Sequence, residues 1–200
     1  MISLVGVRKG EALSESKRKT GQGREAEVRV KGWLKEDGIL VSSKDGVEEL
    51  SLRGYGVSRD GNLMLAFHEA LFLLSKDVVE VVGEKTGEAV GFQALLERFQ
   101  SLDEDAWVKY LIYRDLRSRG YVVREGFGLG IDFRVYDRGE YGKETAKYLT
   151  LGILEGKPLS LGELTQVLRH AQSLKKKLVL AVVNRRGEVV YYSLSRLTLK

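Results

Sequence analysis

Alternation is the first signal along this chain. Residues 26–34, AEVRVKGWL, set apolar and polar side chains in turn, the period of a half-buried strand; Glu36, Asp37 and Gly38 then supply a turn into a second strand over 39–42. The segment GNLMLAFHEALFLLSKD from Gly61 opens as a short strand and passes to helical spacing, which puts Phe67, Ala70, Leu71 and Leu74 on one face. VVEVV from Val78 predicts another short strand. The glycine-rich GEKTGEAVGF after it marks a boundary, so residues 1–92 are expected to form a small mixed α/β domain and 93–200 a second one.

In the second half, Ser101 and Glu104 have the spacing of a capping box, and Asp103, Glu104 and Asp105 suit the positive end of a helix dipole. A helix is predicted from there to Arg119. Its apolar stripe is Trp107, Tyr110, Leu111 and Leu116, with Arg114, Arg117 and Arg119 outside it and Gly120 placed to end it. Strands follow over 121–124, 132–136 and 148–154. A second capping box, Ser160 with Glu163, opens a helix that turns Leu164, Val167, Leu168 and Ala171 inward. KLVLAVV from Lys177 reads as a buried strand, and residues 184–187 turn the chain into EVVYYSL. Helix, strands, helix, strands around one mixed sheet is the expected architecture. Gly126, Gly128 and Gly130 lie between two strands and lack the spacing of a dinucleotide fingerprint.

Composition narrows the partners. Two hundred residues with 43% apolar content can bury one ordinary core or two small ones. A net charge of +5 with a pI near 9.3 favours polyanionic partners. Without cysteine there is no disulfide scaffold or thiolate zinc site, and His68 and His170 alone make no histidine-rich metal site. The polar, charged stretch 9–25 is expected to be a mobile arm or long loop. No run of 18 apolar residues occurs and the first apolar run is too short for a secretory signal, so a soluble, cytoplasmic protein without membrane contact is expected.

Three stretches carry a resemblance: YLIYRDLRSRGYVVREGFGLGIDFRVYDRG ending at Gly139, KYLTLGILEG from Lys147, and SLKKKLVLAVVNRRGEVVYY from Ser173. They are similar to the archaeal tRNA-splicing endonucleases, and RGYGV from Arg53 with its strand-helix-strand sequel resembles, more loosely, that family's N-terminal domain. The resemblance implies an α/β (α+β) fold: a small N-terminal mixed α/β domain and a C-terminal restriction-endonuclease-like domain with a central mixed sheet flanked by helices. It also implies RNA cleavage without metal or other cofactor. A tyrosine serves as base, a histidine as acid and a lysine as electrostatic clamp; these positions fall on Tyr136, Thr145 and Lys176.

Such cleavage needs a proton for the departing 5′-oxygen, which a threonine hydroxyl does not supply near neutrality. His170 and His68 match no part of the motif and read as ordinary structural histidines. The chain therefore resembles the structural subunit of an α2β2 heterotetramer, paired with a catalytic homologue on precursor tRNA. A homo-oligomer that cuts by itself is the alternative. By the same resemblance Arg169 stacks on an RNA base; the basic run from Lys175 to Lys177 is, from its charge alone, expected to lie along phosphates or to complement the helix dipole. The loop Arg185, Arg186, Gly187 and Glu188, with Val190, Tyr191 and Tyr192 of the last strand, is the expected partner interface. In the family that loop is acidic; here two arginines replace the acid. A different class, a metal-dependent nuclease, would use Asp132, Glu155 and Lys157, whose Glu-Gly-Lys spacing suits a metal and a phosphate.

Overall fold

The computed structural model describes residues 2–6, 29–128 and 130–196. The charged stretch expected to be an arm lies outside them. The described chain opens with β1 (Ile2–Gly6), β2 (Val30–Leu34), β3 (Ile39–Val41), α1 (Lys44–Leu52), β4 (Val57–Arg59), β5 (Asn62–Leu65), α2 (Phe67–Leu74) and β6 (Val79–Gly83). It continues through α3 (Phe92–Gln100), α4 (Ala106–Ser118), β7 (Val122–Gly128), β8 (Ile131–Tyr136), β9 (Tyr148–Leu154), α5 (Leu161–Ser173), β10 (Lys177–Val183) and β11 (Val189–Arg196).

Two mixed sheets result. The first has the order β4-β5-β3-β2-β6, with β2 and β6 parallel and the other pairs antiparallel. The second has the order β1-β11-β10-β9-β8-β7, in which only β9 and β10 run parallel. Strands β8 and β9 form where the sequence pattern places them, whereas β1 and β4 were not expected and β7 runs on to Gly128, taking in Gly126 and Gly128, which the pattern puts between strands. In β8, Ile131, Phe133 and Val135 are buried while Asp132, Arg134 and Tyr136 are half-buried. Helix α4 covers one face of this sheet, and α5 seals the other through Val167, Leu168 and Ala171 against Leu149, Leu178 and Leu180.

Helix α2 departs from its expected one-sided pattern, because every residue from Phe67 to Leu73 is buried. It lies between the first sheet, α3 and α4, and this enclosure buries even its His68 and Glu69. One apolar cluster runs from the first sheet through α2, α3 and α4 to the second, where Tyr113 meets His68, Phe72 and Phe133.

The predicted capping box at Ser101 is corrected. The Ser101 hydroxyl donates to the Arg98 carbonyl and so finishes α3, a helix that the sequence pattern did not single out. Helix α4 starts later, where the Asp103 carboxylate accepts from the Asp105 amide at 2.9 Å and the Asp103 carbonyl from Ala106 at 3.1 Å. Trp107 is correspondingly 40% exposed; the buried set is Ala106, Val108, Tyr110, Leu111, Ile112, Tyr113 and Leu116. Gly120, at φ +86°, ends α4 as expected: its amide donates to Arg117 and that of Tyr121 to Leu116, the paired bonds of a left-handed helix closure.

Two arginines of the second half grip the turn that follows α1. Arg117 donates to the Arg53 carbonyl at 3.0 Å and lies 3.9 Å over the Tyr55 ring; Arg124 donates to the Gly54 carbonyl at 3.2 Å. Among the described residues, no helix is long and apolar enough to cross a membrane.

Candidate active site

One end of the second sheet gathers the predicted chemistry. The Lys147 amide donates to the Val135 carbonyl at 3.0 Å, and the Lys177 amide to the Lys147 carbonyl at 3.2 Å. Tyr136 directly follows Val135 and Lys176 directly precedes Lys177. Their backbones therefore sit two strand spacings apart, about 10 Å, with the start of β9 between them.

Each residue is placed by its own element. Alternation in β8 sends Val135 into the core and leaves Tyr136 half-buried, where its ring meets Tyr141 edge-on at 5.1 Å and 89°. Lys176 is delivered by the end of α5. The Ser160 hydroxyl caps that helix by accepting from the Gly162 amide at 3.2 Å. At the other end Lys175 takes φ +55°, the left-handed conformation usually given to glycine. With it, the Lys175 amide reaches Gln172 and the Lys176 amide reaches Ala171, both at 2.9 Å. The chain thereby turns abruptly, and the half-buried Lys176 ammonium donates to the Thr145 hydroxyl oxygen at 2.5 Å.

The 137–147 loop carries its own support. Lys147 pairs with Asp137 at 2.5 Å, and this hydrogen bond, with the nearby Tyr148, raises the Lys147 pKa. The Glu140 amide donates to Asp137, and the Glu144 amide to Glu140. Neither the Tyr141 contact nor the Lys147–Asp137 pair was anticipated; both join residues of an irregular loop.

No histidine joins this group. His68 is 3% exposed within α2, with its ring 4.6 Å from Tyr113 and 5.1 Å from Phe133. Burial, then the charges of Lys109 and Arg124, lower its pKa to about 3, so it stays neutral in the core. His170 lies on α5 with a buried Nε2 that has no hydrogen-bond partner. Among the described residues neither imidazole bonds to Tyr136, Thr145 or Lys176.

The candidate RNA contacts Arg169, Lys175 and Lys177 are all exposed, Arg169 on α5 and the lysines at its exit. The 184–188 loop is a self-contained turn. Asn184 donates to the Glu188 carboxylate at 2.8 Å and accepts from the amides of Arg186 and Glu188, leaving the side chains of Arg185 and Arg186 exposed. Gly187 takes φ +76° there. In β11 Val190 is 43% exposed, and Tyr192 packs against the α5-side cluster. Tyr191 is engaged within the chain: its hydroxyl donates to Asp115 at 2.8 Å, and burial and that carboxylate raise its pKa. Strand β1 pairs with β11 from Tyr192 to Arg196.

The residues of the metal-dependent alternative have other partners. The Asp132 carboxylate accepts from the Gly152 amide at 2.7 Å and lies 3.5 Å from Lys109, while burial raises its pKa. Lys157 pairs with Asp105 at 2.8 Å and with Glu104 at 3.5 Å. Glu155 is exposed. Among the described residues, no group of three or more His, Cys, Asp or Glu is placed to hold a metal ion.

Residues 30–96 match the family model described as tRNA intron endonuclease, N-terminal domain, and residues 106–191 match the tRNA intron endonuclease, catalytic C-terminal domain. A tRNA-splicing endonuclease of Methanococcus vannielii is 37% identical over 166 residues, 83% of this chain and 93% of that protein. One of Pyrococcus furiosus is 34% identical over 165 residues, 82% and 94%. A longer one from Methanosarcina mazei is 34% identical over 167 residues, 82% of this chain but 46% of that protein. A match of this extent, over both halves, places the chain in the tRNA intron endonuclease family.

Proposed function

We propose that this chain is the structural subunit of a splicing endonuclease that removes introns from precursor tRNA, working beside a histidine-bearing homologue in an α2β2 assembly. The relatives' name supplies the substrate. One observation carries the subunit assignment: the side chain facing Lys176 is the hydroxyl of Thr145.

The chemistry explains its weight. A base takes the proton of the ribose 2′-hydroxyl, the 2′-oxygen attacks the adjacent phosphorus, and the P–O5′ bond breaks to leave a 2′,3′-cyclic phosphate and a 5′-hydroxyl. In this reading Tyr136 corresponds to the base and Lys176 to the cation that steadies the charged transition state. The 5′-oxygen must receive a proton as it leaves. Thr145 is too weak an acid for that transfer, and His68 is held in the core. Arg169, Lys175 and Lys177, exposed beside the site, suit RNA, the first by stacking and the lysines through phosphates. The exposed Arg185 and Arg186, on a turn braced by Asn184, suit an acidic surface of the partner.

The test is a mixing experiment on an intron-containing precursor tRNA, run with and without chelator. The chain alone is expected to leave the precursor intact, and addition of the histidine-bearing homologue to restore cutting at both splice sites. Efficient cutting by the chain alone would replace this assignment with the self-sufficient homo-oligomer. Cutting that the chelator abolishes would point to metal chemistry instead.

A further inference from the structure

We infer that Tyr141 is a positioning residue, through which the turn after α1 fixes the ring of Tyr136. Tyr141 is 37% exposed, yet its ring has specific neighbours on two sides. One side meets Tyr136 edge-on at 5.1 Å, an arrangement set by the opposed charge of ring edge and ring face. The other lies against Gly54. A Cβ built on Gly54 would stand 3.3 Å from both Cδ1 and Cε1 of Tyr141 and 2.7 Å from Cγ1 of Val122, so only a glycine lets this turn approach so closely.

Gly54 is itself held. Arg124 binds its carbonyl, Arg117 binds the carbonyl of Arg53, and the Arg117 guanidinium lies over Tyr55. Tyr141 also forms a backbone bridge with Glu144, and the amides of Lys143 and Glu144 both reach the Glu140 carbonyl. The backbone of Tyr141 thus belongs to the turn that leads to Thr145 and its contact with Lys176. A continuous line of contacts runs from the N-terminal part of the chain through Gly54 and Tyr141 to Tyr136 on one side and Thr145 on the other. This concerns how Tyr136 is held, and stands whether the chain cuts RNA or only binds it.

The test compares full-length protein carrying Tyr141→Ala, Tyr141→Phe or Gly54→Ala by NMR with 13C-labelled tyrosine and threonine. Tyr141→Ala should change the three-bond couplings that report the Tyr136 side-chain rotamer, which loss of a ring current alone does not alter, and move the Thr145 methyl, while the buried Tyr113 signals stay in place and report an intact core. Tyr141→Phe, which keeps the ring, should restore wild-type positions. Gly54→Ala should move the Tyr136 and Thr145 signals, and should move them less when combined with Tyr141→Ala, which separates the route through Tyr141 from the one through Val122 opposite Tyr136. The inference is overturned if the Tyr136 couplings are unchanged in Tyr141→Ala, if Tyr141→Phe perturbs them as strongly as alanine does, or if Gly54→Ala leaves the Tyr136 signals unchanged. Should Tyr141→Ala fail to fold, Tyr141→Phe and Gly54→Ala still decide the matter.

Discussion

Replacing Glu69 by glutamine should give the protein a pH dependence of stability that the native chain hides. Glu69 is 3% exposed in α2. Its carboxylate accepts from the Ala66 amide at 3.0 Å and the Gly56 amide at 3.1 Å, and it lies 3.5 Å from Arg124. Burial nevertheless dominates and lifts its pKa from 4.5 to about 7, with Glu125 adding to the rise and Arg124 and the two amides opposing it. The adjacent His68 is shifted the opposite way, from 6.5 to about 3, by burial and by Lys109 and Arg124, against Asp103.

The signs follow from which state binds the proton more tightly. A raised carboxyl pKa stabilises the folded state below pH 4.5, and that stability is lost as pH rises through about 7. A lowered imidazole pKa does the reverse: its stability is present above pH 6.5 and is lost as pH falls toward about 3. Each slope is about 1.4 kcal/mol per pH unit, so between pH 4.5 and 6.5 the two cancel. Glu69→Gln removes one of them. The stability of the variant minus that of the native chain should therefore grow by about 3 kcal/mol between pH 4.5 and 7, the interval over which the folded carboxyl keeps its proton and the unfolded one does not. Urea unfolding of both proteins across this range, followed by far-UV circular dichroism, measures the difference, and every other titrating group drops out of it. A difference that does not change with pH would refute the claim that burial outweighs Arg124 at this carboxyl.

Three further changes have defined outcomes. Thr145→His should give the isolated chain metal-independent cutting of precursor tRNA, with a gain on the order of 10²–10⁴ over the native chain on a gel assay, the usual contribution of a general acid. Lys175→Gly should raise stability by about 1 kcal/mol in urea unfolding, because φ +55° suits glycine and the amide bonds that close α5 need no side chain. Tyr113→Phe should be neutral or stabilising by about 1 kcal/mol in thermal unfolding, because it deletes a buried hydroxyl that has no hydrogen-bond partner and leaves the ring contacts intact.

What the sequence made legible was whatever a local period controls. Strands β8, β9 and β10 lie where alternation or an unbroken apolar run put them, because each needs only its own residues to decide which face is buried. Helix α5 was legible for the same reason, with a capping serine and one inward face. Helix α4 was less so. Its residues Tyr110, Leu111, Ile112 and Tyr113 are all buried in succession, because the helix is pressed between α2 and the second sheet and no single stripe describes it. Ser101 misled for a related reason: its spacing to Glu104 fits a helix start, but a helix already precedes it, and its hydroxyl takes the nearer carbonyl.

The candidate site divides along the same line. Family resemblance named Tyr136, Thr145 and Lys176, and the parallel register of β9 and β10 explains how residues 31 positions apart come into contact: Lys177 opposite Tyr148 brings the two strand entrances side by side. The support around them was not legible. Tyr141 works through a turn that ends at Gly54, and Glu69 through an arginine 55 positions away. Such contacts exist only after both sheets have formed, and they leave no periodic trace in the chain. They are also what join the two halves, so the residues least visible in the sequence are those that hold the N-terminal part against the end of the sheet where Tyr136 sits.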